Sequence, residues 1–119
     1  MIEKFKIDIP EEKISKIKDK VKNYPWKLIL DLPSWEHGTN LSYLKEICNY
    51  WIKEFNWKVF EKKINSFQNF KTNVDGIDIH FIKEEGSGSN SKTLLLMHGW
   101  PGSVIEFIEI INQLAHPEN

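Results

Sequence analysis

The stretch Thr93-Leu94-Leu95-Leu96-Met97-His98-Gly99-Trp100-Pro101-Gly102-Ser103-Val104-Ile105-Glu106-Phe107-Ile108-Glu109-Ile110-Ile111-Asn112-Gln113-Leu114 decides how this chain is read. Leu94 to Met97 is a short apolar run of the length of a strand buried on both faces. His98 to Gly102 interrupts it with two glycines and a proline, which force a sharp reversal of the chain. A helical pattern resumes at Ser103, which with Glu106 has capping-box spacing. Val104, Ile105, Phe107, Ile108, Ile110, Ile111 and Leu114 leave that helix little polar face, so it is expected to be covered on most sides. A strand, tight turn and helix in this order leave backbone N–H groups of the turn unpaired, beside the positive end of a helix dipole. Oxyanions are stabilised by donors of this kind.

Outward from that stretch, the 119 residues make at most one ordinary domain or part of a larger one. Apolar residues are 40% and aromatics 13%, with five Trp, which excludes a disordered chain. Sixteen Lys and Arg against 17 Asp and Glu give a net charge of -1, so no charge field favours nucleic acid. Cys48 is the single cysteine, so neither a disulfide framework nor a cysteine metal site can form within one chain. His37, His80, His98 and His116 are scattered, with no metal-ligand spacing among them. No window approaches the roughly 20 apolar residues of a membrane span, and the N-terminus has no signal-peptide core. A cytoplasmic protein is the expectation.

In chain order, Phe5 to Ile9 alternates and reads as extended. Pro10, Glu11 and Glu12 open a helix that runs to about Asn23 and is stopped by Pro25. Tyr24 to Trp35, with Pro25 and Pro33, reads as a meander pinned by aromatic side chains. Thr39 or Asn40 caps a second helix with Leu41, Leu44, Cys48, Trp51 and Phe55 as its stripe. Asn56 recaps a third with Trp57, Phe60 and Ile64. Thr72 to Ile82 is strand, Asp75-Gly76 turn, strand, with Ile77, Ile79 and Phe81 on one face. Gly86 to Ser91 is a flexible surface loop.

Taken singly, the candidate side chains carry little chemistry. His98 has no evident nucleophile or orienting acid, and reads as a histidine that hydrogen-bonds the turn. Ser103 lacks the G-x-S-x-G setting of a serine nucleophile and reads as a helix cap. The lysines of Lys13 to Lys22 read as a solvated helix face.

The stretch His98-Gly99-Trp100-Pro101-Gly102-Ser103 resembles the H-G-x-P oxyanion motif of epoxide hydrolases of the α/β-hydrolase fold. Phe5 to Pro10, Trp35 to Lys45, Tyr50-Trp51, Phe55-Asn56-Trp57, Ile64 to Phe67 and Asp75 to Phe81 are similar to the microsomal and juvenile-hormone branch of that family. The resemblance runs through nearly the whole chain, in order. It implies an α/β protein with an N-terminal helical and meander region over residues 1–66. Residues 67–119 would then hold the hairpin, a buried strand, the oxyanion turn and the first helix of an incomplete α/β-hydrolase domain.

It further implies hydrolysis of epoxides to vicinal diols through an Asp ester. A His paired with an acid would activate water, and two cap tyrosines would hold the epoxide oxygen. Mapped here, the Trp100 backbone N–H is the oxyanion donor, His98, Gly99 and Pro101 build the turn, and Trp100–Pro101 is the cis peptide. No residue of the chain matches the nucleophile, the base, the acid or the tyrosines. The 119 residues are therefore expected to be an inert portion of such an enzyme, a fragment or truncated reading frame. The small-molecule epoxide would be a ligand of the full-length enzyme only. The resemblance implies no cofactor and no metal, a contribution to homodimer contacts, and membrane association only through an anchor that precedes this region. Two alternatives remain: a non-catalytic module that binds a full-length hydrolase or another partner, and a serine-dependent hydrolase sharing H-G-x-P.

Overall fold

The computed structural model describes residues 1–32, 34–90 and 92–117; Pro33 of the meander and Ser91 of the loop lie outside them. The chain divides into two compact units, residues 8–58 and residues 1–7 with 59–119.

In the first unit, α1 spans Glu11–Lys22 and α2 spans Leu41–Lys53, and the two pack on each other. Pro10 precedes α1 in extended backbone, where its missing N–H costs no helix bond, and Glu11 and Glu12 sit at the positive helix end. Glu12 and Lys16 form an i,i+4 pair at 2.5 Å on the solvent face. The α2 cap is Asn40, whose side-chain oxygen accepts the Tyr43 N–H at 3.0 Å. Leu41 at the start of α2 is buried, Leu44 and Cys48 are half-buried, and Trp51 is largely open. Between the helices, a 3-10 turn covers Trp26–Leu28. Aromatic pairs hold this meander: Tyr24 with Trp26 at 4.8 Å, and Trp35 with Tyr43 at 5.1 Å. The Asn56 carboxamide then accepts the Lys58 N–H at 3.0 Å and caps α3, Trp57–Ile64.

The second unit is built on a three-stranded antiparallel sheet in the order β1-β2-β3, with β1 Glu3–Lys4, β2 Asn69–Val74 and β3 Ile77–Ile82. Asp75 and Gly76 both have positive φ, 52° and 85°, the type I′ geometry that matches strand twist. The register pairs Val74 with Ile77 and Phe70 with Phe81. Phe70, Thr72, Val74, Ile77, Ile79 and Phe81 thus share one face, and the Phe70 and Phe81 rings stack at 5.6 Å. Lys71, Asn73, Asp78 and His80 occupy the other.

After β1 the partner of the chain changes from backbone to side chain. The Phe5 N–H donates to the Asn69 carbonyl at 2.9 Å. Two residues on, the Asn65 carboxamide accepts the Ile7 N–H at 2.9 Å and donates to the Ile7 carbonyl at 2.7 Å. One side chain thereby satisfies both backbone groups that a neighbouring strand would otherwise take.

The last third differs from its sequence pattern. Leu94 to Met97 lies in no ladder, and Leu95 and Met97 are 77% and 79% exposed. A strand buried on both faces needs a hydrogen-bonded neighbour, and none of the described residues offers one. The helix expected from Ser103 to Leu114 is broken as well. A 3-10 turn covers Val104–Phe107, and a short α4 covers Ile111–Ala115. Five β-branched residues lower the helix propensity of this run. Packing along its length is also thin: Ile108 is buried, but Ile110 and Leu114 are open. Among the described residues, Leu41, Ile64 and Ile108 alone are buried hydrophobics.

Candidate oxyanion site

The turn is a four-residue reversal. Gly99 and Gly102 are its ends, and the Gly102 N–H donates to the Gly99 carbonyl at 2.7 Å. Trp100 and Pro101 are its central residues, joined by a cis peptide bond, which makes it a type VI turn. The position of Gly102 excludes a side chain. An added Cβ there would lie 2.9 Å from the Gly99 oxygen and inside the Glu106 carboxylate. Ser103 follows in extended backbone, and its Oγ accepts the Ile105 N–H at 3.4 Å.

His98 is exposed, and its Nδ1 lies 3.1 Å from the Gly99 carbonyl oxygen. The Trp100 side chain is 97% exposed. Its N–H makes no hydrogen bond among the described residues. His98, Gly99, Trp100 and Pro101 therefore stand together in one turn that presents an open backbone donor. His80 belongs to the sheet, and the His116 Nε2 lies 3.5 Å from Glu84. No group of three or more His, Cys, Asp or Glu among the described residues is arranged to hold a metal ion. None of the helices described is long and apolar enough to cross a membrane.

One polar cluster escaped the sequence. Asn69, 5% exposed, donates to the Ile64 carbonyl at 2.9 Å and to the Phe67 carbonyl at 2.8 Å. Its Oδ1 faces His80 Nε2 at 2.9 Å. Burial first, and then the Lys71 ammonium, hold the His80 imidazole below its ordinary pKa. The edge of the Phe5 ring completes its surroundings, with centroids 5.4 Å apart. The neighbouring Asp78 carboxyl is held below the usual carboxylate range by the Asn73 amide and then by Lys71.

Residues 2–107 match the family model described as the epoxide hydrolase N terminus. The chain belongs to that family. Its epoxide hydrolase relatives include epoxide hydrolase 1 of Oryctolagus cuniculus, 37% identical over 99% of this chain and 27% of that protein. Juvenile hormone epoxide hydrolase 1 of Ctenocephalides felis is 36% identical over 98% of this chain and 26% of its own length. Among solved structures, the juvenile hormone epoxide hydrolase of the silkworm Bombyx mori superposes with a TM-score of 0.83 at 31% identity, covering 96% of this chain and 28% of that one. The Aspergillus niger epoxide hydrolase superposes with a TM-score of 0.79 at 29% identity, covering 94% and 30%. The helices and three-stranded sheet are thus part of an α/β-hydrolase fold. The chain spans about a quarter of the length of these epoxide hydrolases.

Proposed function

We propose that the chain supplies the N-terminal portion of an enzyme that hydrolyses epoxides to vicinal diols. Residues 1–66 are its N-terminal region, and residues 67–119 open the hydrolase domain. An Asp carboxylate outside these residues attacks an epoxide carbon, the carbon–oxygen bond opens, and a tyrosine protonates the freed oxygen. A His paired with an acid then takes a proton from water, and the water attacks the resulting ester. Negative charge collects on the ester carbonyl oxygen until the acyl–oxygen bond breaks; the departing oxygen takes up the proton of the added hydroxyl, which releases the diol and restores the carboxylate, and the imidazolium proton returns to the tyrosine. In this scheme the Trp100 N–H donates to that oxygen, where a fixed donor lowers the barrier.

The observation that carries the reading is the His98–Gly102 turn, whose Trp100 N–H has no acceptor among the described residues while its neighbours are tied. The same scheme makes the 119 residues alone inert, because the nucleophile, the base and the tyrosines lie outside them. The test is a chimera in which this chain replaces the matching segment of the silkworm enzyme. Diol formation by the chimera, with none above a buffer blank from the 119 residues alone, is expected. A chimera that melts cooperatively yet makes neither ester nor diol overturns the reading, as does turnover by the chain alone.

A second reading, a non-catalytic module that binds a partner, draws on the exposure of Leu94 to Met97. Stoichiometric co-purification of a partner with an inert chimera would favour it.

A further inference from the structure

Two contacts converge on the carbonyl oxygen of Gly99: the Gly102 N–H at 2.7 Å and the His98 Nδ1 at 3.1 Å. A carbonyl oxygen only accepts, so the His98 proton sits on Nδ1. That carbonyl belongs to the same planar trans peptide unit as the Trp100 N–H, because the cis bond lies one residue later. In a trans unit, C=O and N–H point in opposite directions. Whatever fixes the Gly99 carbonyl therefore fixes the direction of the Trp100 donor. Hydrogen bonds accepted by an amide oxygen also polarise the amide and strengthen its N–H as a donor.

We propose that His98 is a positioning residue for the oxyanion donor. Its Nδ1–H holds and polarises the Gly99–Trp100 peptide, so that the Trp100 N–H is aimed before the oxyanion forms. This rests on the oxyanion reading given above. His98 neither touches the substrate nor exchanges a proton with it. Its neutral Nδ1–H tautomer and its imidazolium both carry the required hydrogen, so the positioning survives protonation of the ring. A general base would lose its role on protonation, which separates the two assignments.

The test has two arms. In the 119-residue chain, long-range proton–nitrogen NMR of the His98 ring is expected to show a protonated Nδ1 at neutral pH. His98→Ala is expected to shift the Trp100 amide resonance, and His98→Asn, whose side-chain N–H has similar reach, to return it toward the parent. A ring protonated on Nε2 alone, or a Trp100 amide unmoved by His98→Ala, overturns the proposal.

In the chimera, single-turnover kinetics are expected to show ester hydrolysis slowed about tenfold or more by His98→Ala, below the ~100- to 1,000-fold typical of deleting a donor outright. Ester formation and the limbs of the pH profile should stay those of the parent, and His98→Asn should recover most of the rate. Equal slowing of both steps, together with a lowered melting temperature, makes His98 merely structural and overturns the proposal. A parent chimera that forms no ester overturns the enzymatic reading itself, while the NMR arm still reports on the hydrogen bond, so the two failures are told apart.

Discussion

Asn69 Oδ1 and His80 Nε2 meet at 2.9 Å on the polar face of the hairpin, a diagonal contact between β2 and β3. Both Asn69 amide hydrogens are taken by the carbonyls of Ile64 and Phe67, so the oxygen can only accept and His80 must donate from Nε2. One buried carboxamide therefore ties the end of α3 to both long strands.

Asn69→Ala leaves the Phe67 carbonyl and the imidazole N–H without partners, and the Ile64 carbonyl with the Phe67 N–H alone. With each unmade buried bond costing roughly 1–3 kcal/mol and water recovering part of it, a loss of about 2–3 kcal/mol is expected. The urea midpoint of unfolding reads it. A change under about 0.5 kcal/mol, the scale of ordinary surface substitutions, would mean that Asn69 is not the tie described.

His80 gives the fold a pH dependence of definite sign. Its native pKa is lowered, by burial and then by Lys71, beneath the ordinary 6.5. The unfolded chain therefore takes up the proton first as pH falls. This contribution to stability is fully present above about pH 6.5 and is lost below it, down through the lowered native value. Equilibrium unfolding from pH 8 to 5 should show that fall, and His80→Gln should flatten it. A slope unchanged in the variant would assign the effect to another group.

The cap of α2 rests on the single bond from Tyr43 N–H to Asn40 Oδ1. Asn40→Ala should cost about 1 kcal/mol, and Asn40→Asp should retain most of it. Helicity by circular dichroism and the melting midpoint would reveal the difference. Equal losses in the two variants would argue against capping.

Leu95 and Met97 expose most of their surface in a run that has no ladder partner among the described residues. Apolar backbone of this kind recruits other chains. Sedimentation of the 119-residue chain should show association that grows with concentration. The double substitution Leu95→Lys with Met97→Lys should shift it toward monomer. A parent chain that stays monomeric at high concentration would refute this.

What the sequence revealed was local. Pro10, Asn40 and Asn56 mark helix starts because each acts within one turn of itself, and Asp75-Gly76 marks the hairpin because both residues tolerate positive φ. The His98–Gly102 turn was legible for the same reason, as two glycines and a proline admit few backbone paths. Asn69 was not legible, because its partners Ile64, Phe67 and His80 are set by tertiary placement and follow no period. Leu94 to Leu114 reads as buried strand and continuous helix because its composition suits a covered environment, yet cover must come from neighbours that composition does not supply.

The grip of Asn65 on Ile7 spans 58 positions along the chain. The β2–β3 hairpin closes over a two-residue turn and needs no distant partner. Closing a long loop costs more entropy than closing a short one, and contacts distant in sequence slow folding. On the ribosome, Phe5 and Ile7 are made about 60 residues before their partners Asn65 and Asn69. Pulse-labelled hydrogen exchange during refolding should protect the hairpin amides before those of Phe5 and Ile7. Phe5 and Ile7 thus find their places after the hairpin whose synthesis they precede, and until then the outer side of β2 remains an open berth for a foreign strand.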